Sequence, residues 1–273
     1  MNILKNLFLT ALATLTLATV AQAQLTEIQV TFDVNFATTG TGFAPLAGVF
    51  HDGSFSSFTP GTMASPGLES LAEIGNPSAF LSEVPSTADS GATGGQTGGS
   101  NRPTSRSFSV FVDPSNTNFS FAAMFLPSND WFAANQGGGS LDISSLIGAS
   151  AGTALSLEVD TIYDAGTELE DFTRGGGTGT DPFNLAPRLS DANGGNPDDQ
   201  MDNVALVPRV AGQNLFAGFT NPNNEPIDRF LAASSAASLA TITLTVVPEP
   251  DAGAMMLVSM LGLLGMMRRR RRK

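Results

Sequence analysis

The 273-residue chain contains no cysteine and a single histidine, His51. Without cysteine, thiol catalysis, thiolate metal sites and disulfides are excluded, so an exported form must be held together by its core or by bound metal. One histidine cannot build a histidine-rich zinc site, and the sequence has neither an HExxH motif nor a G-x-S-x-G nucleophile elbow. We therefore interpret His51, beside Asp52 and Gly53, as a turn residue.

Basic residues are also scarce, because 13 Lys and Arg stand against 25 Asp and Glu, which gives a net charge of −12. Lys5 and the cluster at residues 268–273 supply many of these cations, so the body between them is more acidic than the whole chain. Such a surface repels nucleic acid and anionic lipid and attracts divalent cations. No basic patch with interleaved aromatic residues occurs in that body, so we expect no nucleic-acid partner.

Residues 1–23 have the pattern of a secretory signal peptide. Lys5 gives a positive start, an apolar run follows, and Ala21-Gln22-Ala23 forms a small-x-small cleavage site. The alternative, a first transmembrane helix, is disfavoured because the run is short and ends at the cleavage signature. We therefore expect export, with cleavage after Ala23.

The C-terminal segment, residues 247–273, combines Val247-Pro248-Glu249-Pro250, an uncharged apolar stretch at 252–267 and a basic cluster. As a helix, the apolar stretch covers about 24 Å, slightly less than a bilayer core of about 30 Å. The order of the three parts resembles a bacterial PEP-CTERM sorting signal, which implies removal by an exosortase-type transpeptidase and a cell-surface or biofilm destination. The alternative is an ordinary inner-membrane anchor with the basic cluster in the cytoplasm.

The body of the chain, residues 24–246, alternates apolar and polar residues, a pattern that predicts strands with one buried face. Only PGLESLAEI, residues 66–74, predicts a helix, with Ser65 as its cap and Pro66 in its first turn. Gly-rich stretches without the context of a phosphate-binding loop separate these elements. The pattern favours an all-β, antiparallel sandwich with one short helix. The predicted strands are residues 27–36, 107–112, 118–126, 155–163, 214–219 and 241–247.

Three segments together resemble the spondin N-terminal domain family, known from F-spondin and mindin. They are LAGVFHDGSFSSFTPGTMASPGLESLAEIGNPS at 46–78, FAAMFLPSNDWFAA at 121–134 and YDAGTELE at 163–170. The resemblance extends over roughly residues 27–246 and implies a C2-like antiparallel β-sandwich whose loops bind calcium at one end. The chain lacks the cysteines of the animal members, so the resemblance extends to their fold more than to their partners.

The same resemblance implies which carboxylates bind calcium. Asp130 matches the aspartate of the PSxDW loop, Asp164 that of the DAGT loop, and Glu168 lies where the family also places an acid. Asp160 joins them if its strand end turns inward. The alternative interpretation is a set of Asx-turn caps at strand ends, with Trp131 filling the core. A rival acidic segment, residues 191–203, fails the EF-hand pattern and is interpreted as a loop.

These observations predict a calcium-binding adhesion or recognition module at the cell surface or in the biofilm matrix, without catalytic activity. Its partner would be a surface or matrix ligand. One alternative is a matrix protein that binds carbohydrate, such as exopolysaccharide, through Trp131 and Phe132. A less favoured alternative is a hydrolase that uses two carboxylates, whose separation the sequence does not reveal.

Overall fold

The computed structural model describes residues 25–34, 42–84, 93–96, 105–126, 128, 130–168, 202–207 and 238–248. The predicted signal peptide, the predicted strand at 214–219 and the apolar C-terminal stretch lie outside these residues. No helix within the described ranges is long and apolar enough to cross a membrane. The strands are β1 (Thr26–Val34), β2 (Gly42–Phe43), β3 (Ala47–His51), β4 (Thr93–Gln96), β5 (Arg106–Val112), β6 (Asn118–Leu126), β7 (Trp131–Ala134), β8 (Leu141–Asp142), β9 (Ala154–Val159), β10 (Ile162–Asp164), β11 (Ala205–Leu206) and β12 (Ala240–Val246).

Two antiparallel sheets form the sandwich, which confirms the predicted fold class. The smaller sheet has the order β5-β1-β12-β9, and the larger has the order β11-β10-β7-β6-β3-β4, with β2 and β8 also paired to β6. β12 lies between β1 and β9, and β11 extends the larger sheet beside β10. Both sheets therefore need segments from the C-terminal part of the described chain.

The core between the sheets follows from the period-two pattern. Ile28, Val30 and Phe32 on β1 are each 0% exposed, whereas the residues between them remain accessible. On the facing strand β6, Phe119 and Phe125 are completely buried in the same apolar cluster. Alternating side chains point to opposite faces of a strand, so these apolar sets meet at the middle of the sandwich.

A second apolar cluster covers the outer face of the larger sheet. Helix α1 (Pro66–Ile74) and helix α2 (Pro77–Ser82) supply Leu71 and Phe80 to it, and β6 supplies Ala122. β6 is therefore buried on both faces, which explains why FSFAAMFL is a nearly continuous apolar run.

Helix α1 begins and ends as the sequence predicts. The Ser65 hydroxyl accepts a hydrogen bond from the backbone N–H of Leu68 at 3.2 Å, and Gly75 closes the helix in the left-handed region at φ 66°. α2 was not predicted. Its signal was the cap Asn76, whose side-chain oxygen accepts from Ser78 N at 3.2 Å, directly before a proline at the first position.

The predicted strand at residues 155–163 is wrong in one respect. It is interrupted at Asp160 and Thr161, where the chain crosses from β9 in the smaller sheet to β10 in the larger one. β9 alternates, whereas Ile162 and Tyr163 on β10 are buried in succession, so the break in period two after Val159 was the signal for the change of sheet.

Candidate functional site

The backbones of four acidic residues lie at or beside the turn where β7 begins and β10 ends. Asp130 directly precedes β7, and Asp164 closes β10 and is paired with Trp131 across the ladder. Glu168 ends the turn that follows β10, and Asp202 reaches the same turn from the segment that leads to β11. We call Asp130, Asp164, Glu168 and Asp202 the acidic corner.

Asp130 binds the turn after β10. Its side chain is 0% exposed, and Oδ2 accepts hydrogen bonds from the backbone N–H groups of Thr167 at 2.9 Å and Glu168 at 3.0 Å. Its backbone carbonyl accepts a third, from Ala165 N at 3.2 Å. Successive N–H groups that converge on one carboxylate oxygen form an anion-binding nest, so Asp130 fixes this turn from within the protein.

Gly166 allows Asp202 to approach the turn. Its φ is +71°, and a Cβ at this position would lie 2.7 Å from the backbone oxygen of Asp202. The backbone N–H of Asp202 donates to the carbonyl of Gly166 at 2.8 Å. Only a residue without a side chain fits such a contact without strain, so Gly166 is required for this arrangement.

Asp164 differs from the other aspartates that cap turns in the described chain. Its Oδ1 accepts the N–H of the residue two positions later, Gly166, at 2.7 Å. Burial raises its pKa above the ordinary value, while hydrogen bonds with Gly166 and Asp130 oppose that rise and the negative charge of Asp202 adds to it. Desolvation and the like charge therefore outweigh the hydrogen bonds, so the protonated form of this carboxyl is favoured relative to that of an ordinary aspartate.

Three other aspartates make the same local hydrogen bond without a raised pKa. Asp52, Asp113 and Asp142 each accept from a serine N–H two positions later, at 3.0, 2.9 and 2.8 Å. The hydrogen bonds from those serines lower the pKa of each aspartate. The Asx turn is thus common to all four, and the raised pKa of Asp164 results from burial and the neighbouring acid.

Trp131 belongs to the core. It is 2% exposed, its ring stacks on Phe125 with 6.4 Å between centroids, and its backbone N–H donates to the Ser128 hydroxyl at 3.0 Å. Phe132, on the opposite face of β7, is 0% exposed and packs on Phe58 at 5.3 Å. Neither ring offers the exposed saccharide platform that the carbohydrate alternative assigned to them.

The predicted ligands are only partly brought together. Asp130, Asp164 and Glu168 meet at the acidic corner, but Asp160 lies at the other end of β10, about 13 Å away along an extended chain. Asp160 is exposed and accepts a hydrogen bond from the Thr161 hydroxyl at 2.7 Å. The turn inward that Asp160 required is absent, because the chain there crosses between the sheets.

Asp202 was missed as a neighbour of Asp164. It belongs to the rival acidic segment at residues 191–203 of the sequence, and long-range pairing brings it to the turn after β10. Asn203 bridges Met63, and Val204 donates to the carbonyl of Thr62 at 2.8 Å. No local pattern indicates such pairing, so the two acidic segments were treated as separate candidates.

The donor chemistry of the corner suits calcium, since carboxylate and carbonyl oxygens are the ligands this cation takes. In the described part of the chain, however, no group of three or more His, Asp or Glu side chains is placed to hold a metal ion. One reason is that Oδ2 of Asp130 already accepts hydrogen bonds from the N–H groups of the turn and therefore does not face a cation. The acids are gathered at one place, but the described geometry does not form a ready coordination cage.

His51 is held as a neutral, buried side chain. Its Nδ1 accepts from Gly53 N at 3.0 Å, so its Nε2–H donates to the Ser120 hydroxyl, also at 3.0 Å. Burial lowers the pKa of His51, and the nearby charge of Asp52 opposes this only in part. An imidazole that already donates to Ser120 cannot accept the proton of that serine, so this pair does not have the geometry of an activated nucleophile.

The two antiparallel sheets and the acidic turns at one end of the sandwich define the protein as an all-β module without disulfides. The chain belongs to the spondin N-terminal domain family, since the Spondin_N family model matches residues 25–169, more than half of its length. Membership indicates an extracellular module of the recognition or adhesion type. No curated protein matches the chain.

Proposed function

We propose that the protein is a noncatalytic recognition or adhesion module of the cell surface or biofilm matrix, and that calcium binds at its acidic corner. The observation that carries the calcium proposal is that Gly166 holds two acidic residues together, because its N–H donates to Asp164 Oδ1 at 2.7 Å and its carbonyl accepts from the backbone N–H of Asp202 at 2.8 Å. The pKa of Asp164 is raised by burial and by Asp202, whereas the pKa values of Asp113 and Asp142 are lowered. A bound cation would offset both the desolvation of Asp164 and its repulsion from Asp202.

Within the acidic corner, we assign different roles to the exposed and to the buried acidic residues. Asp164 and Asp202 are the carboxylates we assign to the cation, because Asp164 is only partly buried and Asp202 is exposed. Asp130 and Glu168 are completely buried, and Asp130 orders the turn. Few carboxylates are offered, so backbone carbonyls and water must complete the shell. This favours weak affinity, with Kd on the order of 10⁻⁴–10⁻³ M as in extracellular modules.

Calorimetric titration of the full chain with calcium tests this assignment. We expect Asp164→Asn and Asp202→Asn each to weaken binding by about tenfold or more, since each removes a charged ligand. Asp142→Asn is the matched control, because Asp142 caps a turn through the same hydrogen bond but lies on β8. If all three variants bind calcium as the wild type does, the acidic corner is not the site.

A separate assay tests the adhesion role. The purified protein is applied to a surface coated with bacterial exopolysaccharide, in calcium and in EDTA. Retention that needs calcium and is lost with Asp164→Asn supports the proposed module. Retention that is equal in both buffers indicates recognition without calcium.

We also propose that the domain is noncatalytic. Support comes from His51, whose Nε2–H donates to Ser120 while both residues are buried. The carboxylate-based hydrolase remains the alternative to exclude. Release of reducing ends from biofilm polymer, lost in Asp164→Asn and retained in Asp142→Asn, would establish turnover and contradict this part of the proposal.

Finally, we propose export by the signal peptide and processing at the C-terminal signal. The N–H of Val247 donates to Glu27 O at 2.9 Å, so the paired backbone extends to the residue before the Pro248-Glu249-Pro250 motif. Removal of the chain beyond that point would leave β12 paired. The intact mass of the protein recovered from culture tests both cleavages, and a mass equal to that of the full chain would contradict them.

A further inference from the structure

A short segment, residues 202–207, begins at the acidic corner and continues beside β10 as β11. We call it the strap. Val204 and Val207 are 2% and 6% exposed, and the other four residues of the strap are exposed. Val204 joins the apolar cluster on the outer face of the larger sheet, and Val207 joins the cluster between the sheets. Segments with so few buried apolar contacts open locally at a small free-energy cost.

The backbone of the strap connects two parts of the molecule. The N–H of Asp202 donates to the carbonyl of Gly166, in the turn after β10, at 2.8 Å. Two residues later, the N–H of Val204 donates to the carbonyl of Thr62 at 2.8 Å. The carbonyl of Val204 also accepts from the N–H of Gly61 at 2.9 Å. The strap is therefore paired both with the acidic corner and with the loop that leads into α1.

Like charge opposes this pairing. Ala205 of the strap is paired with Asp164, so Asp164 lies beside the segment that carries Asp202. The negative charge of Asp202 is one of the causes that raise the pKa of Asp164, so the two carboxylates repel each other when both are ionised. A cation bound by both would turn this repulsion into attraction. Asp202 offers its ligand to that cation only while the strap is paired with Gly166.

We propose that calcium binding orders the strap: a cation held by Asp164 and Asp202 keeps the strap against the turn after β10 and, through Val204, fixes the loop that leads into α1. The proposal rests on the calcium site assigned above and adds what binding does to the neighbouring structure. Because the cation binds the paired strap, calcium reduces strap opening by a factor of one plus the ratio of its concentration to Kd. With Kd of about 1 mM, 10 mM calcium gives about tenfold.

This ordering reaches two exposed apolar side chains beside the corner. Leu206, which is 60% exposed, lies on the strap itself. Met63, which is 50% exposed, lies in the loop and is bridged to Asn203 of the strap. Opening of the strap releases both side chains from their fixed positions. Calcium therefore controls whether this surface is presented in one arrangement, which gives the recognition module a calcium-dependent contact surface.

Hydrogen exchange of single backbone amides, followed by NMR on the full chain in calcium and in EDTA, tests the proposal. The reporters are the N–H groups of Gly61, Asp202 and Val204, which form the pairing described above. The controls are the N–H groups of Ile143 and Gly152, which make backbone hydrogen bonds of 2.8 Å elsewhere in the sandwich. We expect 10 mM calcium to slow exchange at the reporters by about tenfold and to leave the controls unchanged.

Calorimetry on the same samples separates the outcomes. Calcium binding with unchanged exchange at the reporters, or with equal slowing at reporters and controls, would overturn the proposal and leave the calcium site standing. No calcium binding at all would overturn both. In Asp164→Asn, where binding is weaker, the slowing at the reporters should fall to about twofold. Slowing as large as in the wild type would show that the cation acts elsewhere.

A pair of variants tests, in EDTA, whether the strap and the loop open together. Val204→Ala removes buried contacts of the strap and should speed exchange at Gly61 and Asp202 by about tenfold. Val49→Ala is the matched control, because Val49 is 0% exposed in the same apolar cluster but lies on β3. Equal acceleration in both variants, or acceleration at Asp202 without Gly61, would overturn the coupling. The wild-type comparison in calcium and EDTA decides the proposal if Val204→Ala does not fold.

Discussion

Replacing Asp130 by alanine tests whether this residue orders the turn or only binds a cation. Its Oδ2 accepts two backbone N–H groups, at 2.9 and 3.0 Å, and the side chain is 0% exposed. Each hydrogen bond to a charged group contributes about 1.5–3 kcal/mol, so the loss of both costs about 3–6 kcal/mol. That is a large part of the total stability of about 5–15 kcal/mol that such a domain has.

The assay is thermal and urea unfolding of the wild type and Asp130→Ala in EDTA. For a domain of this size, 1 kcal/mol shifts the midpoint by about 2–4 °C, so we expect the alanine variant to melt about 10 °C lower. Asp130→Asn keeps one acceptor oxygen and should lose less. If Asp130→Ala unfolds within about 0.5 kcal/mol of the wild type in EDTA, the carboxylate does not order the turn and the reasoning fails.

Other substitutions test separate parts of the structure. Gly166→Ala should destabilise by about 1–3 kcal/mol, because φ is +71° and the new Cβ meets the Asp202 backbone; wild-type urea unfolding would contradict the contact. Leu71→Ala, at a position 0% exposed, should cost about 2–5 kcal/mol by the same assay, and a smaller loss would mean that α1 is not packed on the sheet. The pKa of His51 is lowered in the folded protein, so its contribution to folding stability is present above its ordinary pKa of 6.5 and is lost as the pH falls through its folded pKa. His51→Gln should therefore flatten the dependence of the unfolding free energy on pH. A pH profile of unfolding that is the same in this variant and in the wild type would refute the prediction.

The strands could be predicted where one face alone is buried. β1 and β12 alternate strictly, and the structure has them at Thr26–Val34 and Ala240–Val246, close to the predicted bounds. α1 could be predicted because its cap, its first-turn proline and its terminal glycine are all local signals. Local signals are sufficient when the interactions that begin, end or bury a strand or helix are made by neighbouring residues in the sequence.

The features that escaped prediction depend on distant segments. β9 and β10 were predicted as one strand, and it is their pairing with different sheets that separates them. The position of Asp202 next to the β10 turn depends on contacts with Gly166 and on the bridge between Met63 and Asn203. Spacing along the chain suggested that Asp160 is a ligand, but the crossover between the sheets carries it away.

The acidic corner is connected to the loop that leads into α1. The backbone N–H of Asp202 donates to the carbonyl of Gly166 at the corner, and that of Val204, two residues later, donates to the carbonyl of Thr62. The N–H of Gly61 completes this pairing by donating to Val204 O at 2.9 Å. The segment at residues 202–204 therefore joins the corner to that loop.

The central claim is that calcium binds at Asp164 and Asp202, and the calcium dependence of the melting temperature tests it most directly. With Kd of about 1 mM, 10 mM calcium stabilises the fold by about 1.4 kcal/mol, so the melting temperature of the full chain should rise by about 3–6 °C. The pKa of Asp164 is raised, so its stabilising contribution exists at low pH and is lost as the pH rises through the folded value. At pH 7 in EDTA, Asp164→Asn should therefore melt above the wild type, and 10 mM calcium should raise its melting temperature by no more than about 1–2 °C. A wild type that melts at the same temperature in calcium and in EDTA would contradict the account.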